Sequence, residues 1–195
     1  PRVVLGQLSK VITLMGLILL AIGGWALIVP FEEGLDEDYA EKALLLSSGC
    51  ALFIGLFIWV LTLGPSDIRR TLFRGEIEGV ESGQRLGRRD ALLLVSASWI
   101  VGAVFVALPY LFWAHIDDAA PANHPFRSVI DCYFESMSGL STTGATVLVD
   151  IEALPSTLLF WRSLSQWLGG LGILVLLVAL LPNAGVAAKR MYRFE

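Results

Sequence analysis

The chain has 195 residues, of which 55% are hydrophobic and 16% charged, and its mean hydropathy is +0.70. A soluble domain would carry about 25% charged residues, so the composition points to an integral membrane protein rather than a soluble enzyme or nucleic-acid binder, and the apolar runs along the chain read as an all-α one. The net charge of −4 identifies no partner, because charges are divided between two membrane faces.

The first predicted span runs from about Val11 to Val29 and is closed by Pro30. No small-residue cleavage pattern follows it and further spans do, so it is more than a signal peptide. An acidic loop comes next, with Glu32, Glu33, Asp36, Glu37, Asp38 and Glu41 against Lys42. Such a loop can raise the local cation concentration, although a plainly solvated loop explains it as well. The second span, about Ala43 to Leu63, contains Cys50. A connector from Gly64 to Asp90 holds Arg69, Arg70, Arg74, Arg85, Arg88 and Arg89 and reads as an amphipathic cytoplasmic stretch able to touch lipid headgroups. The third span, about Ala91 to Phe112, ends near Pro109, with Trp113 as an interfacial anchor. The polar loop after it contains His115, Asp117, Asp118 and His124; its histidine spacing does not suit a metal site.

Phe126 to Thr146, FRSVIDCYFESMSGLSTTGAT, breaks the pattern of spans. Phe126, Val129, Ile130, Tyr133, Phe134 and Met137 share one helical face, and Ser128, Asp131, Glu135 and Ser138 share another. Asn123 is the expected cap and Pro125 the first-turn proline. A helix ending at Gly139 is only about 21 Å long, too short for a hydrocarbon core of about 30 Å. The small residues Ser141 to Thr146 follow it. Non-helical backbone at membrane depth survives only when buried in protein or lining a watery path. A short helix, a Thr/Gly loop and a spanning helix together have the plan of an ion-selective re-entrant pore loop. Backbone carbonyls and threonine hydroxyls can replace the hydration oxygens of a cation. Gly144 can take positive φ, which helps carbonyls face inward, and the C-terminal end of the short helix would aim its partly negative pole at the cation.

The last span, about Thr157 to Leu181, is closed by Pro182. Gly169, Gly170 and Gly172 interrupt it and serve either close helix packing or flexing. Arg162 lies two turns inside it. It needs a partner, for which Asp131 and Glu135 are the candidates, or else it snorkels to the surface. Asp131 has Arg127 as an alternative partner. Cys50 and Cys132 sit in apolar surroundings and read as free thiols. No nucleophile–base pair or phosphate cradle is present, so the chain is not expected to be an enzyme. The Lys/Arg distribution puts the connector, the tail (Lys189, Arg190, Arg193) and both termini in the cytoplasm. That topology holds only if the short helix enters and leaves on the outer side.

The residues FESMSGLSTTGAT followed by FWRSLSQWLGGLGILVLLVALLP resemble the first pore repeat of the Trk/Ktr/HKT superfamily of potassium transporters, a likeness extending over about Ala91 to Glu195. Two helices ahead of the repeat resemble the TrkH-type arrangement. The resemblance implies four transmembrane helices plus one re-entrant pore helix and filter loop. It divides the chain into two leading helices (1–63), a basic connector (64–90) and the first helix–pore loop–helix repeat with its tail (91–195). It implies a potassium filter at Thr142, Thr143, Gly144, Ala145 and Thr146, with K+ held at Thr142, Thr143 and Gly144. Gly144 matches the position where glycine goes with potassium selectivity and serine, in some plant relatives, with sodium.

It implies further that K+ is the transported ion, that no cofactor is bound, that full-length chains form a homodimer in membrane lipid, and that a cytoplasmic nucleotide-binding subunit of the TrkA kind regulates them. The expected location is a prokaryotic plasma membrane, the inner one in Gram-negative cells. Such proteins carry four repeats and this chain one, and Pro1 and the abrupt basic end suggest a piece of something longer. A small self-assembling tetrameric channel and a non-conducting membrane scaffold are the alternatives.

Overall fold

An apolar stretch in lipid must satisfy its own backbone polar groups, and helices do this within one segment. The computed structural model describes residues 2–28, 37–62, 88–117 and 120–180. Among them are α1 (Arg2–Ile28), α2 (Glu37–Thr62), α3 (Arg88–Ile116), a 3-10 turn (Pro125–Arg127), α4 (Val129–Leu140) and α5 (Ser156–Leu180), with no strand among the described residues. Among the described residues three stretches are long and apolar enough to cross a membrane: Val4–Ile28, Asp38–Thr62 and Leu92–Ile116. Leu14, Leu17, Phe53, Phe57 and Ile100 lie exposed on them, an arrangement suited to contact with lipid rather than water. The 25 residues of α5 match these helices in length, but its first turns include Arg162, Ser163, Ser165 and Gln166. Most of the acidic loop, most of the arginine-rich connector, Asp118 and the basic tail lie outside the described residues.

Helix bounds, and the placement of one tryptophan, differ from expectation. α1 starts at Arg2 rather than Val11 and takes in the exposed Lys10; a lysine stem lets its ammonium reach past an apolar surface. α3 does not end near Pro109 but runs through it to Ile116. Proline withdraws one N–H and crowds the turn before it, and in that turn the Val106 carbonyl also accepts the Trp161 indole N–H of α5 at 3.1 Å. Trp113, expected at an interface, is buried beside His124 and Phe126, with ring centroids 5.1 and 6.5 Å away.

α1 and α2 form an antiparallel pair: Gly6 faces Thr62, Gly16 faces Leu52 and Gly23 faces Leu45. Small residues permit this approach, and packing rather than hydrophobicity drives helix association in lipid. The pair packs on α3, and one core runs from Leu19, Ile22 and Leu44 to Val106, Tyr110 and Trp161.

α4 is not the continuous helix expected from Phe126. Ser128 is extended, with φ −91° and ψ 124°, and separates the 3-10 turn from the α-helix. His124, not Asn123, caps the turn: its Nδ1 accepts the Phe126 N–H at 3.1 Å. Ser128 Oγ caps α4 by accepting the Asp131 N–H at 3.3 Å. From Phe126, packed on Tyr110 with ring centroids 4.7 Å apart, α4 descends to Leu140, which faces Gly102 near the middle of α3. Its 12 residues cover about 18 Å.

Two predictions follow from this packing. A Cβ at Gly16 would lie 3.0 Å from the Leu52 nitrogen and one at Gly55 3.0 Å from the Thr13 nitrogen, whereas Gly24 and Gly49 meet nothing within 4 Å. Gly16→Ala and Gly55→Ala should each destabilise by about 1–3 kcal/mol, while Gly24→Ala and Gly49→Ala should gain up to about 1 kcal/mol of helix propensity, read by unfolding in detergent. The second concerns pH. Burial, and then the nearby Arg127, hold the His124 pKa below its usual value. A base with a depressed folded pKa contributes its full stability above the unfolded pKa of about 6.5 and loses it as pH falls through the folded value. Thermal stability should therefore drop as pH falls below about 7, and His124→Asn should flatten that part of the profile.

Candidate functional site

The face of α4 that packs inward is not the apolar one. Val129, Ile130 and Phe134 are 65%, 79% and 47% exposed, whereas Cys132, Glu135, Ser136, Ser138 and Gly139 are buried. This reverses the ordinary reading of an amphipathic helix. Small and hydroxyl-bearing side chains let α4 seat closely against its neighbours and bond its own turns, as Ser136 Oγ does to the Cys132 carbonyl at 2.8 Å. Cys132 and Cys50 are free thiols, and Cys132 Sγ donates to the Phe126 carbonyl.

At the end of α4 the backbone turns sharply. Thr142 has φ 57° and Gly144 φ 76°, Ser141 has φ −77°, and neither Thr143 nor Ala145 is positive, so φ alternates in sign from Ser141 to Ala145. The N–H groups of this run point back at α4: Thr142 donates to the Gly139 carbonyl at 2.9 Å, and Thr143 and Gly144 both donate to the Ser138 carbonyl at 3.0 and 3.4 Å. In a planar trans peptide the carbonyl points opposite to the N–H that follows it. The carbonyls of Ser141, Thr142 and Thr143 therefore all face away from α4, on a stretch exposed from Ser141 to Ala145. The Ala145 carbonyl differs: it accepts the Ser138 hydroxyl at 2.6 Å. The hydroxyls of Ser141 and Thr143 pair at 2.8 Å. Three carbonyls in a row beside threonine hydroxyls make a surface that can coordinate a dehydrated cation.

The far end of the loop is held by Glu135, only 2% exposed. Its Oε2 accepts the Thr146 hydroxyl at 2.9 Å and the Val147 N–H at 3.1 Å. Its Oε1 accepts Arg162 Nε from α5 at 2.7 Å. Three donors on one buried carboxylate offset part of the cost of burying the pair. Asp131, the other acid considered for Arg162, stands outside this cluster. Nor does Arg127 face Asp131: it donates to the Ala120 and Pro121 carbonyls at 3.0 and 3.1 Å, because the break at Ser128 takes it off the helix that would set an i,i+4 pair. The two histidines are occupied separately, His115 with the Leu111 carbonyl and His124 with the 3-10 turn.

The three glycines of α5 differ in their surroundings. A Cβ on Gly169 would fall on the Leu140 carbonyl, 2.7 Å from its carbon; one on Gly170 would meet only the Thr142 methyl at 3.9 Å and one on Gly172 the Trp99 ring at 3.4 Å. Gly169 is thus a seat for the end of α4. Sequence reasoning missed three features here. Ser138 organises the loop from both sides, Thr142 joins Gly144 in the left-handed region, and Glu135 reaches the loop as well as Arg162. The hydroxyls and the acid were legible as polar residues on a short apolar helix, but the left-handed threonine had no local signal.

The TrkH family, described as a cation transport protein, matches residues 80–195. Over 182 residues, 93% of this chain and 32% of the relative, the chain is 34% identical to the Trk system potassium uptake protein TrkH of Escherichia coli. Over 189 residues, 97% of this chain and 34% of the relative, it is 44% identical to the TrkH protein of Vibrio parahaemolyticus. It is 40% identical over 115 residues to the Escherichia coli potassium uptake protein TrkG, 59% of this chain and 22% of that one. The chain spans about a third of the length of the TrkH relatives it matches.

Gly169→Ala should push α4 and α5 apart and destabilise by about 1–3 kcal/mol or more, whereas Gly170→Ala should be close to neutral. Melting temperature in detergent distinguishes them, and equal effects would remove the assigned seat.

Proposed function

The chain belongs to the TrkH family of cation transport proteins, and we propose that it supplies the first potassium-selective pore loop of a potassium uptake transporter. The observation that carries this reading is the run of outward carbonyls from Ser141 to Thr143, in a stretch where Thr142 and Gly144 are both left-handed. Potassium uptake is the named activity of the relatives.

In this mechanism K+ sheds water against the carbonyls of Thr142, Thr143 and Gly144 and the two threonine hydroxyls, with Ala145 and Thr146 shaping the outer end. The C-terminal pole of α4 favours the cation. One loop offers ligands on one side only, so the other sides come from further pore loops of the full-length protein. α4 is the re-entrant helix and α5 the fourth span. Residues 1–63 form a leading pair, 64–90 the basic cytoplasmic connector and 91–195 the repeat. Both termini are cytoplasmic, the membrane is a prokaryotic plasma membrane (the inner one in a Gram-negative cell), and Gly170 and Gly172 leave α5 room to flex. The full-length protein pairs as a homodimer and takes its regulation from a TrkA-like subunit. The reading has support in the geometry of α4, which starts beside one end of α3 and stops near its middle.

Gly144→Ser in the full-length protein should lower K+ over Na+ discrimination roughly tenfold, about 1.4 kcal/mol, with insertion retained; unchanged flux ratios would remove Gly144 from ion selection. For the topology, a thiol at the exposed Asn123 should react with impermeant reagent from outside intact cells and one at the exposed Arg89 should not. The reverse pattern would invert the orientation.

A further inference from the structure

Glu135 is placed where three parts of the repeat meet. It belongs to α4, it accepts two hydrogen bonds from the end of the loop, and it takes a third from α5. Its two oxygens divide the work. Oε1 serves Arg162, and Oε2 serves only the loop, through the Thr146 hydroxyl and the Val147 N–H. Thr146 extends the connection, since its Oγ1 also accepts the Leu148 N–H at 3.1 Å. The near end of the loop is fixed separately by the Ser138 and Gly139 carbonyls. Between these anchors the exposed residues from Ser141 to Ala145 have for side-chain support the Ser141–Thr143 hydroxyl pair, a Ser141 hydroxyl bond to the Ser138 carbonyl and the Ser138–Ala145 bond.

We propose that Glu135 is a positioning residue for ion selection: it clamps the outer end of the loop to α5 and so holds the loop carbonyls at the spacing that favours K+ over Na+. This rests on the reading of the loop as a potassium filter. A carboxylate needed only to neutralise Arg162 would have no reason to direct its second oxygen at the loop. The clamp also makes α5 a lever on the loop, because a shift of Arg162 pulls on the carboxylate that holds Thr146 and Val147.

The test uses the full-length protein in liposomes, with K+ and Na+ flux and melting temperature measured on the same preparations. Glu135→Gln should lose discrimination roughly tenfold, the scale on which groups supporting an ion's ligands act. Thr146→Val should lose several-fold, and Thr146→Ser, which keeps the hydroxyl that Glu135 accepts, should lose clearly less. The exchange Glu135→Arg with Arg162→Glu tests a bare ion pair. It should recover melting temperature but not discrimination, because arginine offers the loop no acceptor. Should Glu135→Gln fail to insert, the contrast between Thr146→Val and Thr146→Ser decides alone. Unchanged discrimination in Thr146→Val, or in an inserted Glu135→Gln, overturns the proposal, as does an exchange variant with restored selectivity. A wild-type protein that does not discriminate K+ from Na+ overturns the filter reading itself, and the positioning role with it.

Discussion

The geometry of the loop after α4 depends on where its N–H groups go. Three successive donors, on Thr142, Thr143 and Gly144, bond back to the carbonyls of Gly139 and Ser138. This does two things at once. It satisfies carbonyls that every helix leaves open at its C-terminus, and it commits the intervening carbonyls to the opposite side. The sign alternation of φ is the backbone's means of doing both within four residues. A loop that bonded to water instead would leave its carbonyl directions unspecified.

The bonding pattern works only because the end of α4 is held close to α5. Gly169 gives the Leu140 carbonyl its room, and Gly139 lets the α4 backbone approach Ser165. The buried face of α4 is correspondingly rich in small and polar residues, while Val129, Ile130 and Phe134 point outward and Leu140 closes the buried face at its end. A helix in water buries its apolar stripe. A helix among other helices in lipid gains nothing by doing so, and places small residues where backbones must meet.

That difference explains what the sequence could and could not reveal. Apolar runs marked the long helices, since few structures other than helices can satisfy a backbone in hydrocarbon. Arg162 in an apolar run called for a partner, and of the two acids on the short helix the structure sets Glu135 against it, not Asp131. Periodicity found the stripe of Val129, Ile130 and Phe134 but could not tell whether protein or lipid would cover it. Pro109 looked like a stop because proline ends many soluble helices; within apolar surroundings the helix continues at the expense of one bond. The break at Ser128 was masked by the same periodicity, since Phe126 fits the stripe on either side of it. No local rule predicts a β-branched residue in the left-handed region, so Thr142 could be located only in three dimensions.

Thr142 has a consequence for how this segment can vary. Its φ of 57° is comfortable for glycine and costs a β-branched residue about 1–2 kcal/mol. Glycine there would relax the backbone and remove both the hydroxyl and the methyl that rests near Gly170. Serine would keep a hydroxyl and much of the conformational cost, and lose the methyl. Bulkier residues keep the cost and lose the hydroxyl. Every replacement thus trades ease of folding against side-chain chemistry, and position 142 is one at which conformational comfort and chemical utility select opposite residues.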